Sequence, residues 1–311
     1  MKLVSCVITT VNREKELIRA ISSCINQVYT NIEIIVVIDG ENPDLATSLR
    51  THFEKIKCPL QIIETGDRVG GNEARNIGIS KSNGYFVALL DDDDEWLPNK
   101  IEEQVKMFND NKDCVVFCSV YRIDSDVKKK ILPRKSYKST MTITKFLFDT
   151  TKLGLRAGFI QTSTLFSTKE IFSKINFDPE LKKHQDWDWC IKVASNGINF
   201  VHINKPLVYY HNEHTKNRVG RDKDYIASFK WLNSVKNYLT KREYDRFIYS
   251  VIIPMIREDK SLSKSQKKEI TKKYAQSIAL RNKFHFGYIV ENLKPLYLNF
   301  SNAVCIIKRD K

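Results

Sequence analysis

Residues 32–38 read IEIIVVI, six β-branched aliphatic side chains in seven positions. A strand alternates its side chains between two faces, so such a run has to be covered on both. That calls for helices above and below a sheet, and the surrounding sequence supplies them. LVSCVIT precedes as a first strand, and EKELIRAISSCINQ follows it with Leu17, Ile21, Cys24 and Val28 at helical spacing. After Asp39-Gly40, Pro43 opens a helix with Leu45, Leu49 and Phe53 on one face. LQIIE is a third strand, Gly70-Gly71 precedes a helix over residues 73–80, and YFVALL is a strand running into Asp91. Pro98 opens NKIEEQVKMF, and CVVFCSVYRI is the next strand. The strand–helix alternation predicts an α/β fold, a doubly wound, mostly parallel sheet flanked by helices. Such sheets bind ligands outside the carboxyl ends of their strands, where Asp39 and Asp91 both fall.

The second half of the chain is less periodic. DSDVKKKILPRKS reads as a loop, FIQTSTLFST alternates like a strand, and WDWCIKVASNG has helical spacing with a glycine stop. INFVHI and LVYYH read as two short strands either side of Pro206, and from about Asp224 the pattern is helical. Charge divides the chain in the same place. Lys216 to Lys311 holds 22 Lys and Arg against 9 Asp and Glu, so nearly all of the net +14 lies there. Basic tails of this kind meet phosphates of lipids, nucleic acids or anionic glycans. No recognisable nucleic-acid module accompanies this one, so no nucleic-acid partner is expected. The seven cysteines form no C-x-x-C pair and read as buried free thiols of a reducing compartment. No apolar run approaches the ~18 residues of a membrane span. The opening residues read as a strand rather than a signal peptide, which places the chain in the cytoplasm.

ALLDDDDEWLP, residues 88–98, sets four carboxylates in a row at a strand end. As hard oxygen ligands they suit Mg²⁺ or Mn²⁺, which takes one or two carboxylates and completes its shell with phosphate oxygens and water. The plainer reading is a solvated loop with acids near a helix start. A second strand-end acid at Asp39 favours a metal–phosphate site. The absence of a G-x-x-x-x-G-K loop argues against a P-loop enzyme; a nucleotidyltransferase on a similar sheet is the main alternative.

Two stretches, VSCVITTVNREKELIRAISSCINQVYTNIEIIVVIDG and EARNIGISKSNGYFVALLDDDDEWLPNKIEEQ, resemble family 2 glycosyltransferases of the GT-A fold. The likeness runs over residues 3–123, resumes at FIQTSTLF, INFDPEL and HQDWDWCIKVASNG, and fades after about His214. It implies a GT-A catalytic domain over 1–223, with a nucleotide-binding half (1–123) and an acceptor half (124–223), followed by a helical basic region over 224–311. It implies an inverting hexosyl- or N-acetylhexosaminyltransferase that uses a nucleotide-sugar, usually UDP-linked. Thr9, Val11 and Asn12 match the loop lining the nucleotide, and Asp39 matches the acid that accepts from the uracil ring nitrogen. Asp91, Asp93 and Asp94 match the D-x-D-D signature, with Asp92 in the variable place. Asp91 or Asp93 would face the ribose, and Asp93 or Asp94 would hold the metal. Arg75, and less directly Arg68, would meet the pyrophosphate.

Sugar transfer with inversion needs a carboxylate to take the acceptor's proton. HQDWDW matches the family's Glu-Asp motif, with Asp186 in the place of the base and Asp188 as the alternative. Gln185 stands where the family has Glu and is expected, with Trp187 and Asp188, to position acceptor or donor. Trp189 is a second aromatic able to stack on a sugar. His211 or His214 would reach metal or phosphate. The basic tail, with its interspersed aromatics, suits the anionic inner face of a membrane and an acceptor that is a glycan or lipid-linked.

Overall fold

The computed structural model describes residues 1–111, 113–125, 128–151, 156–212 and 224–279. Its strands are β1 (Val4–Thr10), β2 (Ile32–Ile38), β3 (Leu60–Glu64), β4 (Phe86–Asp91), β5 (Glu95–Trp96), β6 (Cys114–Ser125), β7 (Lys128–Leu132), β8 (Phe166–Thr168) and β9 (Asn199–His211). The helices of the first half are α1 (Glu14–Ile25), α2 (Pro43–His52), α3 (Gly71–Lys81) and α4 (Lys100–Asn111). Then come α5 (Ile143–Leu147), α6 (Lys169–Lys174) and α7 (Gln185–Ser195). The strands form one mixed sheet in the order β3-β2-β1-β4-β8-β6-β9-β5, with β7 paired on β6. The parallel block predicted from the alternation is β3-β2-β1-β4, and β6 and β9 add a second parallel pair.

β2 is buried along its whole length, as its composition requires. Leu17, Ala20, Ile21 and Cys24 turn one face of α1 inward at three- and four-residue spacing. α3 lies close to the sheet because Gly78 has no side chain: a Cβ there would come 2.5 Å from Val7 Cγ1. The strands of the parallel block end together. Thr9 pairs with Asp91 and Thr10 with Ile38, so Thr10, Asp39 and the acidic run leave the sheet at one edge.

At the opposite edge, Glu33 is the one polar residue of β2, and it is buried. Its carboxylate accepts from Ser5 Oγ (2.5 Å), Asn83 N (2.6 Å), Asn83 Nδ2 (3.0 Å) and Gly84 N (3.1 Å). Burial works to raise its pKa, and these hydrogen bonds outweigh it, leaving the group below the ordinary glutamate value. Glu33 thus ties β1 and β2 to the turn between α3 and β4.

Four local expectations change. Residues 128–132, read as loop, form the edge strand β7. Charged residues are common on edges, and three lysines hid the strand. FIQTSTLFST is a strand only at Phe166–Thr168; Thr162–Thr164 is a 3₁₀ turn. The two strands around Pro206 are the single strand β9, whose register against β6 shifts between Cys118 and Val120, where a residue without an amide is tolerated. Val28 lies beyond the end of α1 and is exposed.

The chain packs as two compact units, Met1–Ile143 with Phe159–Asn217, and Thr144–Gly158 with Arg218–Lys311. The second is helical, with α8 (Tyr225–Ser234), α9 (Lys241–Phe247), α10 (Ile253–Glu258) and α11 (Lys264–Gln276). Phe148 packs edge-on against Trp231 and Phe247 in its core, and those two rings meet at a tilt. Arg246 pairs with Asp149 at 3.0 Å. π geometry at Ile248–Ile252 joins α9 to α10 just before Pro254, which has no amide to donate. α11 buries none of its residues and exposes Lys264, Lys268, Lys272 and Lys273, while Lys267 is partly covered and donates to the Arg257 carbonyl (3.0 Å). Of the described residues, 144–151 and 156–158 group with this unit. Most of the aromatic part of the basic tail lies outside the described residues.

Glu33→Ala leaves several buried donors unpaired and is expected to lower stability by roughly 2–4 kcal/mol at pH 7, read from urea denaturation. The folded-state pKa is depressed, so the charge-linked part is present above the ordinary value of 4.5 and is lost as pH falls below it.

Candidate active site

The four consecutive aspartates are compatible because a tight turn separates them. The Asp94 amide donates to the Asp91 carbonyl (3.1 Å), and the side chains leave the turn in different directions. Asp91 Oδ1 accepts from Arg75 Nη2 (2.8 Å) and Oδ2 from Gln161 Nε2 (2.7 Å). Asp92 accepts from Thr10 Oγ1 (2.6 Å) and pairs with Arg13 Nη2 (3.0 Å). Asp93 Oδ2 accepts from Arg13 Nη1 (2.7 Å), and its carbonyl accepts from Arg19 Nη2 (3.0 Å). Asp94 Oδ2 accepts from Ser163 Oγ (2.7 Å) and Gln161 Nε2 (2.8 Å), while Oδ1 accepts from the His211 amide (3.1 Å).

The electrostatics follow. Burial pushes the Asp92 carboxyl up to about 7 even with Arg13 and Thr10 beside it. Burial works to lower the pKa of Arg13, and Asp92 and Asp93 outweigh it; Asp91 and Asp186 do the same for Arg75. Both guanidiniums are therefore held charged among the acids.

Asp186 stands in the first turn of α7, and its Oδ1 accepts from Thr162 Oγ1 at 2.6 Å. Burial, then Asp91, raise its pKa to about 6; Arg75 and Thr162 hold it from going higher. A carboxyl of that pKa is mostly ionised at neutral pH and still able to take a proton. α7 begins at His184, whose φ of 62° is left-handed and whose ring stacks on Trp187 at 5.1 Å.

Asp39 is buried, and its carboxylate accepts from the amides of Val69 (2.7 Å) and Gly70 (3.1 Å), which fixes the loop leading into α3. Arg68 lies against Gly40: a Cβ there would come 3.0 Å from Arg68 Nε. Thr9 and Val11 are partly buried and Asn12 is exposed, all at the end of β1.

Several expected roles meet a different placement. Asp94 is fully buried and faces Gln161, Ser163 and the His211 amide, not the open side of the turn. Asp92 is also enclosed and acts on the site through Arg13. Asp188 is buried and pairs with Lys192 at 2.7 Å, one helical turn along. Trp187 is buried against His184. Trp189 is fully buried, stacked on Phe172 and Phe177, with Nε1 donating to the Ile175 carbonyl; it is core, not a sugar platform. Gln185 donates to the Lys182 carbonyl (3.2 Å). The His211 ring meets Glu95 at 2.7 Å. His214 lies outside the described residues.

Among the described residues, no three His, Cys, Asp or Glu side chains converge as a metal shell. Asp94 does not fit a metal ligand. Asp93 Oδ2 stands 2.7 Å from Arg13 Nη1, so an ion held by Asp93 would take the place that this guanidinium fills. A divalent ion there would draw its remaining ligands from phosphate oxygens and water.

Residues that the sequence reading passed over join these groups: Thr10, Arg13, and the consecutive Gln161, Thr162 and Ser163. The last three are buried. Their one sequence signal is a polar QTST run set between apolar neighbours.

Residues 5–175 match the family described as Glycosyl transferase family 2. The chain is 29% identical over 270 residues to the amylovoran biosynthesis glycosyltransferase AmsB of Erwinia amylovora, covering 84% of this chain and 87% of that protein. It is 32% identical over 246 residues to an uncharacterized glycosyltransferase of Rickettsia typhi, covering 78% and 74% respectively. Among solved structures, S. aureus TarS aligns with a TM-score of 0.60 at 16% identity, over 91% of this chain and 50% of that one. The complex of TarS 1–349 with UDP-GlcNAc aligns at 0.58 and 15% identity, over 91% and 75%. At such identities the likeness to TarS is one of fold, and it matches the GT-A arrangement of sheet and helices.

Arg75→Met leaves the Asp91 carboxylate without its cation and is expected to destabilise the chain by about 3 kcal/mol in urea denaturation. Adding Asp91→Asn in the same chain should recover part of that loss, because the charge left unpaired is then gone.

Proposed function

The chain belongs to glycosyltransferase family 2, and from that premise we propose that it moves a hexose or N-acetylhexosamine from a UDP-linked donor to a hydroxyl of a glycan or lipid-linked acceptor, with inversion. The observation that carries this reading is one network. Arg75 bonds Asp91, Gln161 bridges Asp91 and Asp94, and the next residue, Thr162, holds Asp186. Donor-side charges and a carboxyl able to accept a proton thus belong to one framework, at the strand ends where α/β sheets bind ligands.

In this reading Thr9, Val11 and Asn12 line the nucleotide. Asp39, its loop already fixed by Val69 and Gly70, accepts from the uracil ring nitrogen. Asp91 faces the ribose. Arg13 and Arg75 offer the positive charge that a diphosphate needs as it leaves. Asp93 would hold a Mg²⁺ or Mn²⁺ ion, which when bound acts as a Lewis acid toward that diphosphate. The ionised Asp186 takes the proton of the acceptor hydroxyl. The acceptor oxygen forms its bond to the anomeric carbon while the bond to the diphosphate breaks, and the departing oxygen keeps the electron pair. Support for UDP comes from the TarS complexes with UDP and UDP-GlcNAc. Support for a biosynthetic transfer comes from the name of AmsB, an amylovoran biosynthesis glycosyltransferase.

No helix among the described residues is long and apolar enough to cross a membrane. The lysines of α11 suit a peripheral position on an anionic cytoplasmic leaflet, each cation near the surface adding about 1 kcal/mol.

Isothermal titration should show UDP binding that strengthens with Mn²⁺ and weakens at least tenfold in Asp39→Asn. In a panel of nucleotide-sugars scored by UDP release, Asp186→Asn should lower kcat by about 10²–10⁴ with little change in donor KM. The wild-type rate should rise with pH through about 6, as Asp186 ionises. Absence of UDP binding, or full activity in Asp186→Asn, would overturn this reading. Separately, co-sedimentation with phosphatidylglycerol vesicles should fall when the exposed Lys264, Lys268 and Lys272 are all changed to Glu, and undiminished binding would remove α11 from the membrane contact.

A further inference from the structure

We propose that Thr162 is the positioning residue of the base, and that the Gln161-Thr162-Ser163 segment sets where Asp186 stands relative to the donor-side acids. The inference rests on the reading of Asp186 as base and adds the element that aims it.

The geometry comes from the 3₁₀ turn at Thr162–Thr164. Three residues per turn send neighbouring side chains in well-separated directions. Thr162 Oγ1 donates to Asp186 Oδ1 at 2.6 Å. The residues on either side point elsewhere: Gln161 Nε2 donates to Asp91 (2.7 Å) and Asp94 (2.8 Å), and Ser163 Oγ donates to Asp94 (2.7 Å). Three successive residues therefore hold three acids from two distant parts of the chain.

The segment is itself fixed, which a positioning element requires. Gln161 Oε1 accepts from the Ser163 amide (3.0 Å), and the Gln161 carbonyl accepts from Thr164 Oγ1 (2.6 Å). Trp96 Nε1 donates to the Ser163 carbonyl (2.9 Å), and Gln104 Nε2 donates to the Thr164 carbonyl (2.9 Å). Thr162, Ser163 and Thr164 are each at most 1% exposed. A branched Cβ leaves threonine few χ1 choices, so the direction of its hydroxyl is set by the backbone below it.

The charged and titratable groups facing Asp186 are few. Arg75 comes from α3, Asp91 from the end of β4, and Cys190 lies one turn along α7. Asp91 disfavours the ionised form, Arg75 favours it, and the Thr162 hydroxyl and amide favour it as well. Thr162 carries no charge, so it can be changed without altering the net charge of the site.

The test is a titration of the Asp186 carboxyl in the full chain by infrared difference spectroscopy, with Asp186→Asn identifying its band; this arm needs no donor. Thr162→Val, of nearly the same shape without the hydroxyl, should move the midpoint upward by about one pH unit, the size of one lost charge-assisted hydrogen bond. Thr162→Ser should leave it within about 0.2 unit. With UDP-GlcNAc as the probe, UDP release by Thr162→Val should fall at least about fivefold in kcat at pH 6, with donor KM within about twofold and recovery in Thr162→Ser. Should Thr162→Val not fold, Thr162→Ala takes its place in both measurements. An unmoved midpoint in a folded variant lacking the hydroxyl, or a Thr162→Ser variant as impaired as Thr162→Val, overturns the proposal. Full UDP release by Asp186→Asn overturns the base assignment instead, and the midpoint shift still reports whether Thr162 controls that carboxyl.

Discussion

The pairing of Arg13 and Arg75 with the acidic turn is the constraint around which the site is built. Five carboxylates, Asp91 to Asp94 and Asp186, gather near one strand edge, and like charges at that density oppose folding unless cations answer them. Arg13 stands at the start of α1 and spans Asp92 and Asp93, while Arg75 stands on α3 and reaches Asp91. Two of the helices packed on the sheet, α1 and α3, thus bring these guanidiniums to the acids. The close approach of α3, which Gly78 permits, places Arg75 where it is needed. Packing and charge are met by the same two elements.

Neutral donors complete what the arginines begin. Gln161 and Ser163 serve Asp94 without adding charge, and Thr162 does the same for Asp186. The difference between the two carboxyls is one of exposure. Asp94 is sealed in and holds β9 to the turn through the His211 amide, whereas Asp186 is only partly covered. Two acids with similar donors are thus placed differently, and the one proposed as the base is the one left partly open.

The parallel half of the sheet was legible because its signals are local. A doubly buried strand such as residues 32–38 declares itself in composition, and glycine or proline marks the boundaries. The acceptor half was less legible, for reasons that can be named. β7 carries lysines because it is an edge, and β9 crosses Pro206 because a register shift accommodates it. Gln161 to Ser163 looked like alternating strand residues, since nothing local says that three polar side chains will meet acids 24 to 72 residues away. The acidic run announced a site but not its internal division: which aspartate faces in is decided by the turn and by Ser163, not by the aspartates. Trp189 shows the converse, an aromatic beside catalytic-looking residues that the core claims.

The sheet keeps its burdens at opposite ends. Glu33 fastens β1, β2 and the turn before β4 at the amino ends of the strands, and the acids cluster at the carboxyl ends, about six residues or 20 Å away along the strand. Interactions that far apart with no shared partners change independently. The ligand-facing loops are therefore open to drift toward a new sugar or acceptor while the distant fastening keeps the strands aligned, which gives this scaffold latitude to diversify without first becoming sturdier.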